Sequence, residues 1–97
     1  MEIILNYING ALVEPINNAY LDNYNPSIGK VYSQIPDSNE KDIDLAYNAA
    51  NEAFSGWSKT PKEERSKIMM RIADLIEENL EELAKAESMD NGKPFKL

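Results

Sequence analysis

Apolar and polar positions interleave at the start of the chain, where Ile3, Leu5 and Tyr7 alternate with Ile4, Asn6 and Ile8. Such alternation predicts a strand. Asn9-Gly10 then supplies two residues suited to the left-handed positions of a tight type I′ turn, and Ala11-Leu12-Val13 returns as the second arm of a hairpin. Tyr20 to Tyr24 predicts a further strand, Asn25-Pro26-Ser27-Ile28-Gly29 a turn, and Lys30 to Ile35 another strand that Pro36 ends. Tyr7, Tyr20, Tyr24 and Tyr32 are expected to pack across the resulting sheet.

From about residue 39 the period changes from two to between three and four. Ile43, Ala46, Tyr47, Ala50, Ala53, Phe54 and Trp57 mark one apolar face of a helix that Asn39 is placed to cap. Acids at Glu40, Asp42 and Asp44 suit the positive end of its dipole, and Gly56 marks its expected end. Thr60, Pro61 and Glu63 predict the start of the next helix, with Thr60 as cap and Glu63 completing a capping box. Ile68, Met69, Ile72, Leu75, Ile76, Leu80, Leu83 and Ala84 form its apolar face. Because Asn79 and Glu82 are spaced as a fresh cap, the pattern predicts either one long helix or two with a kink. Gly92 stops the run and Pro94 bars simple continuation. The fold class expected is α+β, with strands over about 3–35 and two or three long helices over about 39–91, in one unit spanning residues 1–97.

Composition narrows the function classes. The 97 residues are 42% hydrophobic and 28% charged, which suits a folded chain rather than a disordered one. A net charge of -7 opposes binding to phosphate backbones or anionic lipid, so neither nucleic acid nor membrane is an expected partner. No signal peptide or membrane-spanning apolar run is visible in the sequence, and a cytoplasmic location is expected. The 97 residues contain neither cysteine nor histidine. They therefore offer no thiol nucleophile and lack the commonest general base.

Few residues remain as candidates for chemistry. Glu87 and Asp90, three apart near a helix end, have the spacing of a carboxylate pair, but Glu77, Glu78, Glu81 and Glu82 make the same helix acid-rich, and such runs are ordinarily solvated. Gly92-Lys93 lacks the further glycines and the Ser or Thr of a phosphate loop and reads as a helix stop. Tyr47, Phe54 and Trp57 read as core or packing surface. No nucleophile stands with a base and an orienting group.

Several segments, in order, resemble the amino-terminal part of the NAD(P)-dependent aldehyde dehydrogenase superfamily. They are YING at Tyr7–Gly10, YNPSIGKVYSQIP at Tyr24–Pro36, DIDLAYNAANEAFSGW at Asp42–Trp57, TPKEER from Thr60, RIADLIEENLEELAKAES at Arg71–Ser88 and DNGKP at Asp90–Pro94. The pairing of VYSQIPDS with AESMDNGK is most similar to members acting on semialdehydes such as muconic semialdehydes. The resemblance implies a much longer enzyme, in which a cysteine attacks the aldehyde, hydride passes to NAD or NADP, and a glutamate activates water to release the acid. It places the cysteine, the glutamate and the glycine-rich cofactor motif outside these residues, so no catalytic or cofactor-binding residue is assigned here and the 97 residues alone are expected to be inactive.

The resemblance also implies a monovalent cation site, with the backbone oxygens of Asn23 and Tyr24 and the carboxylate of Asp90 as partial ligands; hard cations favour such oxygens. Asp90 alternatively reads as a helix-end residue bonded to nearby amides. The family fold would be cut in the middle of its first domain at Leu97, leaving faces such as Phe54/Trp57 and Leu80/Leu83 uncovered. Homo-oligomerisation or pairing with the remainder of the enzyme is therefore expected. The competing expectation is a stand-alone, non-catalytic interaction module. Continuation of the gene into a cofactor motif and a cysteine distinguishes the first reading from the second.

Overall fold

The computed structural model describes residues 1–95. Its strands are β1 (Glu2–Ile3), β2 (Asn6–Ile8), β3 (Ala11–Val13), β4 (Tyr20–Asn25) and β5 (Lys30–Pro36), followed by helices α1 (Glu40–Trp57), α2 (Lys62–Glu78) and α3 (Leu80–Asn91). The expected α+β class is the one observed. Asn9 and Gly10 take φ of 53° and 78°, the left-handed values the hairpin turn requires, and β2 pairs antiparallel with β3 through Tyr7 and Leu12.

The opening strand is shorter than its alternation predicts. It breaks at Ile4–Leu5 because the chain changes partner: Glu2 and Ile3 lie parallel to Ser33 and Gln34 of β5, whereas Asn6–Ile8 belong to the hairpin. The strands thus form two sheets, one of order β1-β5-β4 and the other β2-β3. The parallel pairing was not part of the sequence expectation, which had only antiparallel hairpins. Nor do the four tyrosines form one layer: Tyr20 and Tyr32 are half-buried, while Tyr7 and Tyr24 are exposed.

Helix α1 starts as a capping box. Asn39 Oδ1 accepts from the amides of Lys41 (2.9 Å) and Asp42 (3.3 Å), and Asp42 Oδ2 accepts from the Asn39 amide at 3.0 Å. The helix runs one residue beyond Gly56. Two predicted caps are corrected. Thr60 does not cap α2; its hydroxyl turns back to donate to the Gly56 carbonyl at 3.3 Å, and Pro61 occupies the cap position without a side-chain bond. The freed carbonyls of α1 compete for that hydroxyl. Asn79 does separate two helices, but its amide donates backwards to the Leu75 carbonyl at 2.8 Å, closing α2 rather than opening α3.

Burial is sparse. Among the described residues no hydrophobic side chain is buried; the fully buried side chains are Pro15 and Ser33, and Asp42 is 4% exposed. The radius of gyration is 16.9 Å and the shortest extent 16 Å. A compact chain of this length has a radius near 12.5 Å, about a quarter less. The segment is therefore one layer thick, with α3 lying on β4 and the hairpin on α1. No described helix is long and apolar enough to cross a membrane.

Candidate functional site

The polar side chains that do gather are held by an irregularity in β5. Asn23 pairs with Ser33 and Tyr24 with Val31, so Tyr32 is the extra residue of a bulge. Bulges re-aim side chains, and the Tyr32 hydroxyl here reaches α3, where it donates to Asp90 Oδ1 at 3.1 Å. The side-chain amide of Asn23 lies between them. Its Nδ2 is 3.1 Å from Tyr32 Oη, 3.1 Å from Ser33 Oγ and 3.3 Å from Asp90 Oδ1. Partial burial raises the Tyr32 hydroxyl pKa above its ordinary 10.0, and the bond to Asp90 and that carboxylate's charge push the same way; the hydrogen bonds with Asn23 and Ser33 oppose them.

This network ends α3 at a fixed place on the sheet. Gly92 takes φ of 78° and donates its amide to the Ser88 carbonyl at 2.9 Å, closing the helix as its sequence predicts. A Cβ on Gly92 would lie 3.3 Å from Pro26 Cγ, so the Asn-Pro turn and the helix end approach closely.

Of the residues the sequence reading assigned to a cation, Asn23 and Asp90 come together. Tyr24 follows on the same strand, at the register shift, with its ring exposed. The oxygen chemistry fits a monovalent ion in part. One carboxylate and adjacent backbone oxygens are at hand, but Asp90 Oδ1 already faces the Asn23 amide and the Tyr32 hydroxyl, both donors. Among the described residues no three acidic side chains converge to hold a metal.

Glu87 and Asp90 both line an open groove of about 630 Å³ with Glu2, Ile4, Tyr32 and Leu83. They do not work as a pair. Glu87 Oε1 accepts from Asn91 Nδ2 at 2.7 Å, whereas Asp90 is bonded to the sheet. No nucleophile with a base joins them, and the groove walls are neutral or acidic.

A second polar junction escaped the sequence reading. Besides its place in the capping box, Asp42 accepts from the Ile16 amide at 2.9 Å, tying the 14–18 loop to the start of α1. Its spacing of three from Asn39 was a usable sign of the box. Nothing local marked the bond to Ile16, or the bulge that turns Tyr32 towards Asp90.

Comparison with known proteins places these features in a larger body. The model of the aldehyde dehydrogenase family matches residues 13–97. The 2-aminomuconic semialdehyde dehydrogenase of Bos taurus is 50% identical over 80 residues, 82% of this chain but 16% of that protein. An aldehyde dehydrogenase of Deinococcus radiodurans is 46% identical over 91 residues, 94% of this chain and 18% of that protein. Among solved structures, the NAD+ complex of the Bacillus cereus aldehyde dehydrogenase superposes with a TM-score of 0.92 at 40% identity, covering 98% of this chain and 20% of that one. The betaine aldehyde dehydrogenase of Staphylococcus aureus, also with NAD+, gives 0.89 at 35% identity, covering 95% and 19%. The chain thus spans less than a fifth of the length of the curated relatives named here. Strand order, helix ends and sequence agree over nearly all of it, and the chain belongs to the aldehyde dehydrogenase family, as its amino-terminal segment.

Proposed function

We propose that the chain serves as the amino-terminal scaffold segment of an NAD(P)-dependent enzyme that oxidises an aldehyde to a carboxylic acid in the cytoplasm, a semialdehyde being the favoured substrate class. The observation that supports this reading is the joint match of sequence and fold to enzymes whose structures carry NAD+. The semialdehyde preference is supported by the 50% identity to the bovine 2-aminomuconic semialdehyde dehydrogenase. NAD or NADP supplies the hydride acceptor when bound to the whole enzyme. The residues of this chain do other work: β5 and the Tyr32–Asp90 bond fix α3 on the sheet, and Asp42 fixes the entry to α1. A monovalent cation held by the Asn23 and Tyr24 carbonyls and the Asp90 carboxylate belongs to the same reading, as does self-association of the segment when its apolar faces are left uncovered.

With no cysteine in its 97 residues, the segment alone has no thiol for the chemistry. The test uses two proteins: the 97-residue chain, and the Bacillus cereus enzyme with its matching segment replaced by this chain. Each is offered aldehydes with NAD or NADP while NADH or NADPH formation is followed. The chimera is expected to turn over and the isolated chain to show none. Turnover by the isolated chain that survives repurification would overturn the assignment of a scaffold role, and a folded but inactive chimera would overturn the proposed part in aldehyde oxidation.

A further inference from the structure

We infer that the apolar stripe of α2, formed by Ile68, Ile72, Leu75 and Ile76, is an intrasubunit docking surface whose occupant is the remainder of the enzyme's own polypeptide rather than a second copy of this chain. The inference rests on the reading above, that this is one segment of a longer aldehyde dehydrogenase.

Helix α2 is the least supported element of the fold. Its 17 residues include none that is buried, and its packing within the described segment is confined to its junction with α3. Yet its sequence is amphipathic. Positions 68, 72, 75 and 76 share one face, while Glu63, Asp74 and Glu77 fall on the opposite one. A lone helix of this length is marginal in water and draws its stability from a covered apolar face.

The area involved decides what kind of partner fits. The accessible surface is 7989 Å², against about 5,600 Å² for a compact protein of 11.0 kDa. The excess, about 2,400 Å², is roughly three times what one partner contributes to a standard-size interface. It is also spread over the chain: large exposed apolar residues occur on β1, β2, β3, β4 and all three helices, with Ile3, Tyr7, Leu12, Leu21, Phe54 and Ile72 as examples. A second copy docking through one patch covers too little of this. A polypeptide several times longer, such as the relatives possess, can cover many separate faces at once, and this chain spans only 16% of one such relative.

The test is made in the full-length chimera described above. Ile72→Asp places a charge in the stripe, Ile72→Ala shortens the side chain, and Glu77→Ala changes the opposite face. If the rest of the subunit covers the stripe, Ile72→Asp lowers the apparent melting midpoint by about 5 °C or more, or removes soluble protein altogether, and Ile72→Ala lowers it by a smaller, measurable amount. Glu77→Ala leaves it unchanged, and the sedimentation coefficient of the soluble variants stays that of the parent. An unchanged midpoint for Ile72→Asp would overturn the inference, because a covered stripe cannot accept a charge without loss. A variant that melts as the parent does but sediments as a smaller assembly would also overturn it, by showing a second copy to be the occupant. Failure of the functional reading gives a different result: a parent chimera that melts cooperatively, responds to Ile72→Asp and forms no NADH.

Discussion

Strand β5 has seven residues, two strand partners and a fully buried Ser33, whereas helix α2 has 17 residues and buries none. Both are well-formed elements, but they answer to different parts of the molecule. The order around β5 comes from contacts inside the segment: the ladders to β1 and β4, the Asn23 amide, and the Tyr32 bond to Asp90. The order of α2 comes from its own hydrogen bonds and from whatever lies against Ile68 and Ile72. Local sequence can specify a helix completely without supplying the surface that stabilises it.

Substitutions can break that comparison, and the largest effect is expected from the helical side. Phe54 of α1 is 66% exposed in the segment. In the chimeric enzyme, where its face is covered, Phe54→Ala should cost about 3 kcal/mol of stability in urea titrations. A cost near zero would show that the face stays in water. Asp42→Ala tests the polar side. It strands the amides of Ile16 and Asn39 at a buried position, and a loss of about 2 kcal/mol is expected. An unchanged urea midpoint would mean that water replaces the carboxylate there.

Gly92→Ala sharpens the comparison where helix and strand meet. The left-handed backbone disfavours a side chain, and the added methyl presses on Pro26. A loss of about 1 kcal/mol or somewhat more is expected, with Gly92→Asn recovering part of it because asparagine tolerates this conformation better. Equal melting of the glycine and alanine forms would argue against the close approach.

The smallest effect is expected at Tyr32, and it depends on pH. Its hydroxyl pKa is raised in the folded chain, so the folded state holds that proton more tightly than the unfolded state does. The associated stability is complete below the ordinary value of 10.0 and is lost as pH rises through the raised value. Tyr32→Phe should therefore melt slightly below the parent at neutral pH and lose less of its stability on going to alkaline pH. Parallel curves for the two proteins would rule out the Asp90 contact as a contributor.

Much of this architecture was legible in the residues. Asn9-Gly10 specified a turn through backbone conformation, Asn39 specified a helix start, and Gly92 a helix stop, since each acts on neighbours a few residues away. What could not be read depends on distant partners. The parallel pairing of Glu2 and Ile3 requires β5, thirty residues on. Thr60 was misassigned because the Gly56 carbonyl draws its hydroxyl, and Asn79 because the Leu75 carbonyl takes its amide. The candidate site was legible only in part: Asn23 and Asp90 were chosen through resemblance, but the bulge that brings Tyr32 to Asp90 has no local signature. The apolar stripe of α2 was visible as a period, and the period alone did not say what covers it.

Hydrogen exchange compared between the isolated 97-residue chain and the chimeric enzyme tests the central claim most directly, because it reads β5 and α2 separately in both. The account predicts that amides of residues 68–78 exchange more slowly in the enzyme by about a hundredfold or more, while the β5 amides that pair with β4 change much less. Equal protection of α2 in the two proteins would contradict it, showing that the helix is stable without the body proposed to cover it.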